Sequence, residues 1–156
     1  MPTELRILSV VGARPQFIKS AALQRAVAGP FAGRIHNATL HTGQHYDPGM
    51  SEVFFEELGL DRPQVQIPAP DQALAGKLGR MLRGVEGTIH AHRPDLVVVY
   101  GDTTSTLAGV LGATRCGVPV AHVEAGLRSY DGRMPEEENR VLADHASTWL
   151  FCPTET

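Results

Sequence analysis

The chain is short of cysteine, short of net charge and without a long apolar run, and each scarcity removes a class of protein. Cys116 and Cys152 form neither a CxxC pair nor a metal-ligand spacing, which excludes a disulfide framework and a thiolate zinc site. Both are expected to be reduced and buried or partly buried, as in cytosol. The 14 Lys+Arg against 17 Asp+Glu leave a formal charge of −3, with no basic run to follow a phosphate backbone, so nucleic acid is not an expected partner. No stretch of about 18 consecutive apolar residues is available for a membrane-spanning helix. The opening MPTELRILSVVG lacks the charged start, apolar block and small-residue cleavage site of a secretory leader. A cytoplasmic location without a membrane partner is therefore the expectation. Internal repeats, low-complexity tracts and linkers are also lacking, and Asp61 to Asp71 reads as a loop inside the domain.

What is present suits one ordinary domain. With 156 residues and 42% hydrophobic content, residues 1–156 can enclose a single core. Short apolar runs alternate with stretches of helical period. Ile7 to Val11 reads as a strand, Pro15 to Val27 as a helix with Pro15 in its first turn, and Ile35 to His41 as a second strand. Met50 to Leu58 places Met50, Val53, Phe54 and Leu58 on one helical face. Val65 to Ile67 is a short strand, and Gln72 to Ala91 a long amphipathic helix despite its glycines. Leu96 to Tyr100 is a wholly apolar strand, Thr106 to Cys116 a helix closed by Gly117, and Pro119 to Val123 another strand. Glu136 to Ser147 is helical, and Trp149 to Cys152 is a last strand. Strands without polar alternation, separated by helices, predict an α/β fold: a Rossmann-like parallel sheet with helices on both faces.

In such sheets ligands bind beyond the carboxyl ends of the strands, so the residues there carry the functional argument. After the first strand, Gly12-Ala13-Arg14-Pro15-Gln16-Phe17-Ile18-Lys19 opens a helix, whose N-terminus favours anions, and Arg14 and Lys19 add full charges. The segment has neither GxGxxG nor GxxxxGK[ST], so NAD and direct ATP binding are unsupported. Two readings remain: phosphate binding, or a tight turn with Arg14 solvated and Lys19 on an exposed face. After the second strand, His41-Thr42-Gly43-Gln44-His45-Tyr46-Asp47 has two histidines four apart, a spacing that serves a metal only on a helix, which Gly43 breaks. No metal site is expected; Gln44, His45 and Tyr46 either line a polar pocket or decorate a loop.

The acids come next. Asp102 follows Tyr100-Gly101 at a strand end and is either a working carboxylate or the cap of the next helix. Glu124 stands one residue past a buried strand, where an acid is costly unless solvated, paired or used. Glu136, Glu137 and Glu138 follow Pro135 in a first helical turn, where the helix dipole alone would stabilise them. Successive helical residues point about 100° apart, so no more than two of the three can face one cleft, and spacing does not choose between them.

Taken in order, GARPQFIK, TGQHYDPGMSEVFFEELGL, YGDTTSTLAG, HVEAGLRS and MPEEENR resemble the amino-terminal half of the non-hydrolysing UDP-N-acetylglucosamine 2-epimerases. The resemblance spans nearly the whole chain. It implies the N-terminal half of a GT-B-type fold, in which two Rossmann-like domains face each other across the substrate cleft. It further implies inversion at C2, interconverting UDP-GlcNAc and UDP-ManNAc by elimination of UDP to a 2-acetamidoglucal and its re-addition. No redox cofactor and no metal enter such a path. By motif position Asp102, Glu124 and Glu136 would be the catalytic carboxylates, and Arg14 and Lys19 would contact the nucleotide or its phosphates, with Asp102 and Glu124 also touching the UDP-sugar.

The second domain of the family carries most of the nucleotide pocket and a catalytic histidine. Because residues 1–156 correspond to the first domain only, this chain is expected to fold but to be weak or inactive alone. An apolar face left open would favour a homo-oligomer. GQHYD at Gly43 to Asp47 also occurs in relatives acting on diacetamido uronic acid nucleotides, which leaves the sugar and any allosteric binding of a second UDP-GlcNAc open. The alternatives are a GT-B glycosyltransferase domain, a non-catalytic nucleotide-sugar-binding module, and a structural role in which both strand-end acids are incidental. Family products feed bacterial surface polysaccharides.

Overall fold

The computed structural model describes residues 4–44, 55, 59–68 and 73–154. Among these, six strands make one wholly parallel sheet: β1 (Leu5–Val11), β2 (Ile35–His41), β3 (Val65–Gln66), β4 (Leu96–Tyr100), β5 (Val120–Val123) and β6 (Trp149–Phe151). Their order across the sheet is β3-β2-β1-β4-β5-β6. Four helices connect them: α1 (Arg14–Ala28), α2 (Leu74–His92), α3 (Thr104–Arg115) and α4 (Pro135–Ala146). The order reverses at β1, and there the β1 and β4 connections leave for opposite faces and open a crevice at the carboxyl edge.

Side chains alternate across a strand, so β1 and β4 feed two cores. Leu8, Val10, Val97 and Val99 pack with Val85 and Ile89 of α2, Val110 and Ala113 of α3 and Ala143 of α4. Ile7, Val11, Val98 and Tyr100 pack on the other face with Phe17 and Ala21 of α1. A sheet covered on both faces needs apolar residues at both parities, which is why the strands lack polar alternation. The glycines of α3 let it sit close: a Cβ on Gly112 would stand 2.6 Å from Val85 Cγ1, and one on Gly109 2.7 Å from Val99 Cγ1.

The expected elements are present with ends moved by a residue or two. Helix α3 starts at Thr104 rather than Thr106, because the Thr103 hydroxyl caps it by accepting from the Thr106 N–H at 3.4 Å. The helix read over Met50 to Leu58 lies outside the described residues except for Phe55, buried edge-on to Phe17 at 5.0 Å between ring centroids. One expectation is corrected at the end of the chain. Cys152 is exposed, not buried, since β6 pairs only with β5 among the described residues and Trp149, Leu150 and Phe151 are about half exposed. No helix of the described residues is long and apolar enough to cross a membrane.

Candidate active site at the carboxyl ends of the strands

The turn from β1 into α1 is organised by a residue the sequence motifs leave without a role. Gln16 is buried, and its Oε1 accepts the Gly12 N–H at 2.8 Å and the Ala13 N–H at 3.0 Å. Its Nε2 donates to the Tyr100 carbonyl at 2.7 Å and the Thr103 hydroxyl at 2.9 Å. The backbone N–H groups of this turn, which would otherwise greet an anion, are thus largely consumed within the protein: Pro15 has none, and the Gln16 N–H bonds Ala13 O at 2.9 Å. Any anion affinity here comes from side chains. Arg14 is exposed at the first turn of α1, and Lys19 stands further along the same helix. A Cβ on Gly12 would fall on Ser105 and Thr42, so this turn, the end of β2 and the start of α3 are locked together by close packing.

Asp102 is not a helix cap, because Thr103 takes that position. Its carboxylate instead pairs with Arg140 of α4, Nη2 to Oδ2 at 2.5 Å, and its carbonyl accepts from Asn139 Nδ2 at 2.9 Å. Arg140 reaches at the same time to Glu137 Oε2 at 3.0 Å. Of the three consecutive glutamates, Glu137 is the one turned inward, where it receives the Ser129 N–H and hydroxyl at 2.8 and 2.9 Å and the Tyr130 N–H at 3.2 Å. Its pKa falls to about 2, pulled down first by the Ser129 N–H, opposed by burial, and lowered further by the Ser129 hydroxyl, Arg140 and the Tyr130 N–H. Burial disfavours the Arg140 charge, but Glu137 and Asp102 outweigh it and raise its pKa. Glu136 is exposed, one helical turn ahead of Arg140 on the same side of α4.

Glu124 follows β5 directly, and its backbone is left-handed, φ 69°, a conformation uncommon outside glycine. Two hydrogen bonds hold it: its own N–H and that of Ala125 both reach the Phe151 carbonyl, at 3.0 and 3.1 Å. The side chain pairs with Lys19 of α1, each about one-third exposed. Gly101, at φ 65°, lies against this pair; a Cβ there would be 3.3 Å from Glu124 Oε2 and 3.9 Å from Lys19 Nζ. The turn carrying Asp102 is therefore next to the Glu124 carboxylate. Asp102 and Glu124 converge at one edge of the sheet, each with its own cation supplied by a different helix.

Around these sit further polar groups. The Gln44 side chain is held in place: its Oε1 accepts the Ser105 N–H at 2.9 Å and so occupies the start of α3. His45, Tyr46 and Asp47 lie outside the described residues. His41 is buried against Phe17, accepts the Gly43 N–H at Nδ1 at 2.8 Å, and has its pKa lowered to about 4 by burial, a hydrogen bond to its own backbone opposing. His122 is wholly buried in β5 between Asp144 and the Gly101 carbonyl. No group of three or more His, Cys, Asp or Glu able to hold a metal occurs among the described residues.

The strand ends thus bring together Asp102, Glu124 and Lys19, with Arg14 and Glu136 exposed on the first turns of α1 and α4. Gln16, Arg140, Glu137 and His122 are the site-building residues that motif reading left unassigned. One signal was available for two of them: a histidine inside an otherwise apolar strand and an arginine four residues after the first of three glutamates both need partners.

The chain matches the family model described as UDP-N-acetylglucosamine 2-epimerase over residues 32–156. It is 48% identical over 150 residues to the UDP-2,3-diacetamido-2,3-dideoxy-D-glucuronate 2-epimerase of Pseudomonas aeruginosa, covering 96% of this chain and 42% of that protein. It is 43% identical over 151 residues to the UDP-N-acetylglucosamine 2-epimerase of Methanocaldococcus jannaschii, covering 97% of this chain and 40% of that one. The crystal structure of the M. jannaschii enzyme in complex with UDP-GlcNAc and UDP superposes with a TM-score of 0.87 at 44% identity, over 98% of this chain and 41% of that chain. The chain spans about 40% of the length of the relatives it matches. With the family model matched over most of its residues and its fold superposing on that of a solved member, this chain belongs to the UDP-N-acetylglucosamine 2-epimerase family.

Proposed function

We propose that residues 1–156 supply the acid–base half of a nucleotide-sugar 2-epimerase, with a second domain, equivalent to the remaining length of the relatives, supplying most of the nucleotide pocket. The observation that carries this reading is the convergence of the Lys19–Glu124 and Asp102–Arg140 pairs at the switch point of a parallel sheet, where ligands of this fold class bind. The substrate is UDP-GlcNAc and the product UDP-ManNAc. Removing the C2 proton while the C1–O bond to UDP breaks gives a 2-acetamidoglucal; returning a proton to the other face of C2 while UDP rejoins C1 completes the inversion. Asp102, Glu124 and Glu136 supply general acid and base, each worth about 10²–10⁴ in rate. Arg14 and Lys19 meet the negative charge of the departing diphosphate. Glu124 is the carboxylate we assign to proton transfer at C2, since a lysine about one-third exposed holds it and a substrate diphosphate competes for that same lysine.

A second reading is favoured by the 48% identical relative, whose substrate is a diacetamido uronic acid nucleotide. The chemistry at C2 is the same, and only the substituents at C3 and C6 differ. The test is NMR of each UDP-sugar incubated with the folded chain in D2O. Slow deuterium entry at C2 with formation of the 2-epimer, lost in Glu124→Gln, supports the proposal, and the sugar that exchanges identifies the substrate. Binding without exchange points to a nucleotide-sugar-binding module, and a glycosidic product to a GT-B glycosyltransferase.

A further inference from the structure

His122 is wholly buried, and each of its ring nitrogens faces an acceptor: Nδ1 lies 2.7 Å from Asp144 Oδ1, and Nε2 lies 2.7 Å from the Gly101 carbonyl oxygen. A carbonyl oxygen cannot donate. Asp144 is itself committed as an acceptor, since its Oδ2 receives the Gly126 N–H at 3.0 Å and Arg128 Nη1 at 2.6 Å. With Asp144 as the carboxylate that the Arg128 guanidinium favours, a ring carrying a proton on both nitrogens satisfies both contacts, whereas a neutral imidazole would leave one lone pair directed at another across 2.7 Å. Among the described residues the charged groups around the ring are then Asp144 and, through it, the partly exposed Arg128, a cation–anion–cation row that breaks if any member changes charge.

The row ties four separate pieces of backbone together. Gly101 immediately precedes Asp102; His122 stands two residues before Glu124; Gly126 and Arg128 belong to the loop that follows Glu124; and Asp144 comes from α4, the helix that also carries Arg140. Glu124 adopts positive φ, a conformation that a residue with a side chain keeps only when its surroundings hold it. We propose that His122 and Asp144 form a positioning pair, in which a doubly protonated ring clamps the Gly101–Asp102 turn to the Glu124 loop and sets the separation of the two carboxylates. Its consequence for turnover rests on the epimerase reading; the clamp itself does not.

Long-range ¹H–¹⁵N NMR of the labelled full chain at neutral pH reads the ring directly, without a variant. Both His122 nitrogens should be of the protonated type. In Asp144→Asn one nitrogen should become a bare acceptor, the amide signals of Gly101, Asp102 and Glu124 should shift while those of β1 and β2 hold, and the dissociation constant for UDP-GlcNAc should rise about tenfold. A bare nitrogen in the unaltered chain overturns the proposal. So does a folded Asp144→Asn chain whose Gly101, Asp102 and Glu124 signals or UDP-GlcNAc affinity are unchanged. If the ring and amide results come out as expected while UDP-GlcNAc gives a glycosidic product instead of exchange at C2, the clamp stands and the epimerase reading falls.

Discussion

The two strand-end carboxylates are held in opposite ways. Asp102 faces Arg140, which is simultaneously bound to Glu137, which in turn anchors the Ser129 and Tyr130 backbone, so three segments share one network. Among the described residues the Glu124 carboxylate has one partner, Lys19, with both side chains about one-third open to solvent. A guanidinium fork suits two carboxylates at once, whereas an ammonium on a four-carbon stem is a mobile point charge. On the proposed function the difference separates two duties that the sequence presents as equivalent acids: one side would stay as it is, the other would exchange its partner.

The largest expected effect comes from removing the acid on the mobile side. Glu124→Gln should lower C2 deuterium exchange about 10³-fold while changing stability by less than about 1 kcal/mol, because a partly exposed ion pair contributes little. Asp102→Asn should also stop exchange but should melt at a lower temperature than Glu124→Gln, since it leaves a mostly buried Arg140 with one carboxylate instead of two. Equal melting temperatures for the two variants would remove the distinction. Next in size is Gln16→Leu, which strips the partner from the Gly12 and Ala13 N–H groups and from the Tyr100 carbonyl beneath both carboxylates. It should cost about 3 kcal/mol in urea unfolding. A loss below about 1 kcal/mol would mean that the turn finds other partners.

Gln16 also shows how far the sequence could be read. Parallel strands, helices on both faces and acids at strand ends were legible because period, apolar runs and turn residues are local signals. The role of Gln16 was not: it is fixed by Tyr100, 84 residues away, and the residue at the helix cap is Ala13, so the usual Ser/Thr-x-x-Gln signature is missing. The choice among Glu136, Glu137 and Glu138 was likewise closed, because the dipole of α4 welcomes all three and only the path of the Ser129–Tyr130 loop decides which turns inward. Asp102 left a cap or a working acid as equal readings, and Thr103 removed the first by taking the cap itself.

The tied side should also show in acid. In the folded chain Glu137 gives up its carboxylate form only near pH 2, against about 4.5 for an unperturbed glutamate. A folded pKa below the unfolded one means that the stabilisation is complete above about pH 4.5 and is lost as pH falls through about 2. Urea unfolding followed across that window should therefore show the unaltered chain losing more stability than Glu137→Gln, whose neutral side chain has nothing to titrate. Parallel curves would show that Glu137 adds nothing to the acid limb.

The smallest effect separates geometry from environment. Asp131 and Arg133 form a well-aligned pair, with Nε to Oδ1 and Nη2 to Oδ2 both at 2.8 Å, close in shape to the Arg140 network. The Arg133 side chain is 90% exposed, however, where Arg140 is 18% exposed. Water competes for both charges, salt screens them, and holding two side chains in one arrangement costs rotamer freedom. The hydrogen bonds lower the Asp131 pKa, but in so open a site that shift does not become stability. Arg133→Ala should leave the melting temperature unchanged at low and at high salt. A salt-sensitive drop would mean that the 129–134 loop draws on this pair to hold the inward-facing Glu137 contacts, and the solvated and tied regions would then be one.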